Sequence, residues 1–169
     1  MSADGTIAFY PLRAADIPMV SDWLTRPHVA EWWEDGAAFA EDYAPVIAGD
    51  VPTFAFIAYE GDTPIGFIQH YQATAFHYEG WWLNEQDTGV RGIDQFLADG
   101  SRLGQGLGTA MITQFVATVF ADPTVTRIQT DPSPGNARAI RCYEKCGFRL
   151  SGIVDTPDGP ALLMYCKRS

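Results

Sequence analysis

Glycine occupies three alternate positions in the run Ser101-Arg102-Leu103-Gly104-Gln105-Gly106-Leu107-Gly108-Thr109, and an apolar stretch with helical spacing follows at once. Glycines at this spacing leave backbone N–H groups free to turn toward one point. The helix that opens there adds its own unpaired N–H groups and the positive end of its dipole. The combination is an anion cradle suited to a pyrophosphate. A chain built around it must contain a loop-to-helix unit, and an enzyme that uses a nucleotide-bearing cofactor is the expected owner of one.

The remaining organisation is that of an ordinary core-forming chain. Its 169 residues are expected to form a single domain, residues 1–169. No apolar run reaches 18 residues, and the N-terminal Met1-Ser2-Ala3-Asp4-Gly5 lacks the basic and apolar regions of a signal peptide, so a cytoplasmic location and no membrane partner are expected. Three cysteines (Cys142, Cys146, Cys166) cannot all pair. Cys142 and Cys146 lie one helical turn apart with no histidine cluster beside them, which predicts reduced thiols and no metal site. A net charge of −10 argues against nucleic acid and suits either plain solubility or a cationic substrate.

Periodicity sets out the elements. Residues 6–10 read as a strand, and Asp16 is placed to cap a helix through Leu24. A second helix is predicted from about Ala37 to Ala48. Thr53–Tyr59 and Pro64–Gln72 form a hairpin about Glu60-Gly61-Asp62, and the aromatic stretch Ala73–Thr88 reads as a loop. Gly89–Leu97 is a strand leading into the glycine run. Leu107, Met111, Phe115 and Val119 then share one helix face, ended by Asp122-Pro123. Arg127–Asp131 is a short strand, Asn136 opens a helix stopped by Gly147, and Phe148–Asp155 with Ala161–Cys166 closes the chain as a hairpin. The order is β-α-α-β-β-β-α-β-α-β-β: α+β, with a mixed, mostly antiparallel central sheet and about four helices.

Strand, Gly104-Gln105-Gly106-Leu107-Gly108, helix, strand, then Asn136, Ala139, Tyr143 and Gly147-Phe148 resemble the GNAT acyl-CoA N-acyltransferase superfamily. Further blocks resemble its aminoglycoside 6′-N-acetyltransferases: Glu31-Trp32-Trp33, Gly80-Trp81-Trp82, Gly89-Val90-Arg91-Gly92-Ile93-Asp94-Gln95, Gln129-Thr130-Asp131-Pro132-Ser133-Pro134, Arg138 to Lys145, and Thr156-Pro157-Asp158-Gly159-Pro160. The similarity runs in order along nearly the whole chain. Three departures stand out, one of them the segment Ala75-Phe76-His77-Tyr78, longer and more aromatic than the subgroup's usual loop. Leu103, preceded by Arg102, takes the superfamily's Gln/Arg position, and Glu79 stands where the subgroup carries an aspartate.

The resemblance implies acetyl-CoA as cosubstrate, held by Leu103, Gly104, Gln105, Gly106, Leu107, Gly108 and Thr109, by the main chain at Phe96 and Leu97, and by Asn136, Arg138 and Tyr143. Asn136 serves equally as a helix N-cap, and Arg138 and Lys145 as solvated helix charges. Amine acetylation needs a neutral amine, a polarised thioester carbonyl and a protonated leaving thiolate. Asp94, in the strand feeding the glycine run, can hold the incoming ammonium and accept its proton. Its unperturbed pKa of about 4 requires help from orientation or burial. Tyr143 can protonate the thiolate.

Asp131, Asp158 and Glu79 lie at strand ends or loops, where separate carboxylates can read the spacing of several ammonium groups. Asp158 is also the residue that an Asp-Gly turn places there, and Asp131 a strand-end cap. Trp33 and Tyr71 can pack on sugar faces. His28, His70 and His77 have no triad-like partners. With no Ser-His-Asp or Cys-His arrangement in view, direct attack is favoured over a covalent acyl-enzyme. The expected partner is a small cationic aminoglycoside, with no nucleic acid, and the chain is expected to be a monomer or weak homodimer. N-acylation of another small amine, such as a siderophore hydroxylysine, is the alternative.

Overall fold

A computed structural model describes residues 5–33 and 36–169 of the chain. The N-terminal reading of Met1 to Asp4 lies outside the described residues. Among the described residues, seven strands and five α-helices follow one another as β1 (Ile7–Pro11), α1 (Ile17–Leu24), α2 (Pro27–Ala30), α3 (Phe39–Ala48), β2 (Thr53–Glu60), β3 (Thr63–Gln72), β4 (Val90–Leu97), α4 (Leu107–Phe120), β5 (Arg127–Thr130), α5 (Ala137–Lys145), β6 (Arg149–Thr156) and β7 (Gly159–Lys167). The fold is α+β with a mixed, mostly antiparallel sheet. The β1–β2, β5–β7 and β6–β7 pairs are antiparallel and β4–β5 is parallel.

The chain divides into two compact units. The first runs up to Gln69 and includes Gln95–Gly108. Its strands lie in the order β1-β2-β3. Its core gathers Val20, Trp23 and Leu24 of α1, Val29 of α2, Phe39 of α3, Ile57 of β2, Phe67 of β3 and Phe96 of β4. These positions are apolar because α1 and α3 each bury one stripe, as helical spacing requires. Phe67 and Phe96 stack at 5.4 Å, and Trp33 meets both edge-on, at 6.0 Å and 5.0 Å.

The second unit comprises His70–Asp94 and Thr109–Ser169. Its strands lie in the order β4-β5-β7-β6. The face of α4 marked by Met111, Phe115 and Val119 is buried, together with Ile112 and Val116. A second apolar cluster joins Tyr71, Ala73, Trp82, Val90 and Leu163.

Three local readings need correction. Asp16 precedes α1 but makes no side-chain cap for it. Its carboxylate turns back instead, accepting 2.9 Å from the Arg13 N–H and pairing with the Arg13 guanidinium at 3.0 Å. The stretch Ala73–Glu79 is a 3₁₀ segment rather than open loop, ended by Gly80 at φ 92°. The one-turn helix α2 was not foreseen. It begins at Pro27, whose fixed φ suits a first helical position. No helix among the described residues is long and apolar enough to cross a membrane.

Candidate active site

In the first unit, side-chain hydrogen bonds brace the glycine loop from its N-terminal side. The Asp99 carboxylate caps a short 3₁₀ turn (Gly100–Arg102), accepting 2.9 Å from Ser101 N–H and 2.7 Å from Ser101 Oγ. These bonds hold the Asp99 carboxyl below its ordinary range. Gln105 Nε2 donates to Ser101 O at 3.0 Å, so its side chain braces the loop from within.

Gly104 and Gly106 adopt φ of 75° and 85°, a left-handed backbone that favours glycine. A Cβ added to either would meet nothing within 4 Å. The loop therefore presents bare backbone to open space, which fits a phosphate approaching main-chain N–H groups. Arg102, the cation nearest the superfamily's Gln/Arg position, is committed elsewhere, paired with Glu60 at 3.1 Å. The C-terminal end of β4 is braced by Arg26, which donates to Ala98 O at 2.6 Å, and by His28 Nε2, 2.7 Å from Leu97 O. His28 is thus a support of the strand that precedes the loop, and nothing in its sequence neighbourhood announced that. Trp33 is half-buried, with its ring edge-on to Phe67 and Phe96.

In the second unit, strand geometry gathers the acids. β4 and β5 pair in register from Val90↔Arg127 to Gly92↔Gln129. Asp94 in β4 and Asp131 just past the end of β5 each lie two residues beyond that last pair. Alternate residues share a face, so both carboxylates stand on the side of Gly92 and Gln129. Thr130 Oγ1 reaches Ile93 O at 3.4 Å where the ladder ends. Asp158, in the turn between β6 and β7, is the third member. Asp131 is held well above the usual carboxylate range by burial first, then by the charges of Asp94 and Asp158. A polycation supplies the charge such a cluster lacks.

Tyr71 is 9% exposed, and its hydroxyl end crosses directly over Gly92. Burial, followed by the negative charges of Asp131 and Asp94, pushes its hydroxyl well above its ordinary range, so it remains a neutral donor. The ring meets Phe76 of the 3₁₀ segment edge-on at 5.6 Å, and a Cβ on Gly80 would lie 3.5 Å from Pro157 Cγ. The aromatic segment thus abuts the turn that carries Asp158. Trp82, 8% exposed, takes a left-handed φ of 53°, uncommon for a bulky residue. Glu79 is exposed, and its charge acts on the neighbouring Tyr78 hydroxyl. Gln129, 1% exposed, escaped the sequence reading, because a lone glutamine in a short strand carries no pattern.

Asn136 Oδ1 accepts from Ala139 N–H at 3.3 Å, which makes it the N-cap of α5. Arg138 is exposed on the first turn. Tyr143, 4% exposed, lies against Phe148, ring centroids 5.4 Å apart. Burial and the Arg91 charge hold His70 neutral, its pKa lowered to about 4. Among the described residues, no group of three or more His, Cys, Asp or Glu side chains could hold a metal ion.

The raised titration of Asp131 has a sign that can be checked. An unfolded Asp titrates near 3.9. Between that pH and the higher folded value, the native state binds the extra proton, so Asp131 lowers stability progressively as pH rises. Asp131→Asn should therefore melt close to wild type at about pH 4 and increasingly above it at higher pH, with a plateau beyond the folded pKa. Thermal melts of both proteins across pH 4 to 8 check this. A Tm difference independent of pH would show that no such burden exists.

The acetyltransferase (GNAT) domain family matches residues 13–156 of the chain. Aminoglycoside N(6′)-acetyltransferase type 1 of Klebsiella pneumoniae is 48% identical over 159 residues, covering 90% of this chain and 79% of that protein. Lysine N-acyltransferase MbtK of Mycobacterium tuberculosis is 28% identical over 154 residues, covering 87% of this chain and 72% of that protein. A solved structure of AAC(6′)-Ib in complex with paromomycin and acetyl-CoA superimposes with a TM-score of 0.91 at 46% identity, covering 96% of this chain and 94% of that one.

Proposed function

This chain belongs to the GNAT acetyltransferase family, and we propose that it transfers an acetyl group from acetyl-CoA to the 6′-amine of aminoglycoside antibiotics, conferring resistance. The convergence of Asp94 and Asp158 on Asp131 carries the substrate half of this reading. A buried Asp131 whose ionisation is opposed by the charges of Asp94 and Asp158 is suited to a rigid sugar bearing several ammonium groups. The similarity to a structure holding an aminoglycoside and acetyl-CoA supports the same pairing of substrates.

Each step then has a residue. The N–H groups from Gly104 to Thr109 hold the pyrophosphate, with the first turn of α4 adding its dipole. Bound acetyl-CoA supplies the activated acetyl group. Asp131 and Asp158 hold ammonium groups away from the reacting centre, and the Tyr71 hydroxyl donates to the sugar. Asp94 holds the 6′-ammonium, accepts its proton and leaves the nitrogen able to attack. The N–H at Leu97 polarises the thioester carbonyl. Tyr143 gives a proton to the departing thiolate. A tyrosine of pKa about 10 facing a thiol of about 8.5 makes that transfer uphill by roughly 2 kcal/mol, small beside a catalytic barrier. The protein works in the cytoplasm, as a monomer or weak homodimer.

The likeness to a lysine N-acyltransferase favours one competitor, N-acylation of a hydroxylysine. A thiol-release assay with kanamycin and tobramycin beside N-hydroxylysine separates the two. Turnover on the aminoglycosides is expected. Turnover on N-hydroxylysine alone would overturn the proposal.

A further inference from the structure

Cys142 and Cys146 take no part in the chemistry above, yet both sulfurs converge on one residue. Cys142 Sγ lies 3.5 Å from Thr109 Oγ1, and Cys146 Sγ donates to Thr109 O at 3.6 Å. Both cysteines are half-exposed, whereas Cys166 is buried. They sit one turn apart at the end of α5, where residues i and i+4 are neighbours.

The two thiols are also electrically unequal. A hydrogen bond from Cys146, then one from Thr109 and the charge of Lys145, outweigh burial and pull the Cys142 thiol down to about 6. The Cys146 thiol is pushed the other way by the neighbouring Cys142 sulfur and by burial. One member is poised as nucleophile, and the other keeps its proton beside it.

The geometry points to a modification site: Cys142 and Cys146 form a dithiol that a hydroperoxide oxidises reversibly to an intrahelical disulfide. In the first step, the Cys142 thiolate attacks a peroxide oxygen. The O–O bond breaks, hydroxide leaves, and Cys142 becomes a sulfenic acid. In the second, the Cys146 sulfur attacks the sulfenic sulfur, the S–S bond forms, and hydroxide leaves again. The hydroxides take up the two thiol protons, so two thiols and one hydrogen peroxide give one disulfide and two waters. Two electrons pass from sulfur to peroxide.

Helical neighbours four apart hold their Cβ atoms about 5–6 Å from each other, and a disulfide needs roughly 3.5–4.5 Å. The backbone must therefore close by about 1–2 Å. The end of α5 is suited to that. Cys146 is already the C-cap, at φ −86° and ψ 3°, and Gly147 follows at φ 93°. The turn that must tighten contains Tyr143, and the residue both sulfurs touch belongs to the first turn of α4.

The test needs no acyl acceptor, so it stands or falls separately from the proposed acetyl transfer. The purified full-length protein is treated with hydrogen peroxide, blocked with iodoacetamide, digested with trypsin without reductant and weighed by mass spectrometry. Cleavage after Arg141, Lys145 and Arg149 separates Cys142–Lys145 from Cys146–Arg149. The disulfide therefore joins two short peptides into one species. That species is expected in wild type and in Cys166→Ala, absent in Cys146→Ala, and lost on treatment with dithiothreitol. In the reduced protein at pH 7, iodoacetamide should label Cys142 at least about tenfold faster than Cys146. Independent sulfinic or sulfonic acids on the two cysteines, a link to Cys166, or equal labelling rates would each overturn the assignment.

Discussion

Asp94→Asn should lower kcat for aminoglycoside acetylation by a factor of about 100 or more, within the roughly 100- to 10,000-fold range that general-base losses span. The amide fits the space of the carboxylate and can still hydrogen-bond, but it cannot take the ammonium proton. The loss should therefore fall on kcat, while binding of the rest of the sugar persists through Asp131 and Asp158. The surroundings sharpen the expectation. Asp94 stands in β4, two residues past the last β4–β5 pair, and its charge is felt by both Asp131 and Tyr71. The substitution also removes one like charge from Asp131, so its titration should move back toward the ordinary range. Steady-state kinetics with kanamycin measures the first effect. A fall of less than about threefold would place the base on another residue.

Gly92→Ala should damage both stability and substrate binding. A methyl at this position falls inside the van der Waals envelope of Tyr71 Cζ and Oη, and both residues are buried. Neither can yield easily. Gly92 pairs with Gln129 on β5, and the Tyr71 ring is held by Phe76. Overpacking a filled site costs about 1–3 kcal/mol, which for a chain of this size lowers Tm by about 2–12 °C. Tyr71 must swing out, and its hydroxyl leaves the neighbourhood of Asp131 and Asp94. KM for the aminoglycoside should rise accordingly.

A double-mutant cycle gives the specific signature. In a Tyr71→Ala background the added methyl has room, so Gly92→Ala should cost at least about 1 kcal/mol less there than in wild type. Additive losses would mean that the close approach of Gly92 and Tyr71 is not what makes a side chain costly at this position.

Local chemistry explains which parts of the molecule were legible from the chain alone. The hairpin about Gly61-Asp62, the buried face of α4 and the Asn136 cap each depend on residues close together in sequence, and each was read correctly. The left-handed backbone at Gly104 and Gly106 is a local demand of the same kind. Asp16 misled because it satisfies the pattern of a helix cap while an arginine three residues earlier competes for the same carboxylate. The segment Ala73–Glu79 looked unstructured because a 3₁₀ turn has no 3.6-residue period to detect.

The acidic cluster was half visible. Its members could be named as loop and strand-end acids, but the repulsion on Asp131 comes from residues 37 and 27 positions away in the chain. The same holds for His28 at Leu97 O, 69 residues away, and for Tyr71 over Gly92. Strand register and, for His28, the packing of α2 create those meetings, and neither is set locally. Arg102 shows the converse. It stands next to the superfamily's Gln/Arg position, and Glu60, 42 residues earlier, claims it.

The position of the acetyl group in the product decides whether the chain is a 6′-N-acetyltransferase. Purified protein, acetyl-CoA and kanamycin are incubated together, and the antibiotic is examined by two-dimensional NMR. A single new acetamide on the 6′ nitrogen is expected, formed in step with release of one coenzyme A thiol per acetyl group. An acetyl group on another nitrogen or on a hydroxyl, or an unchanged antibiotic in the presence of intact acetyl-CoA, would contradict that expectation.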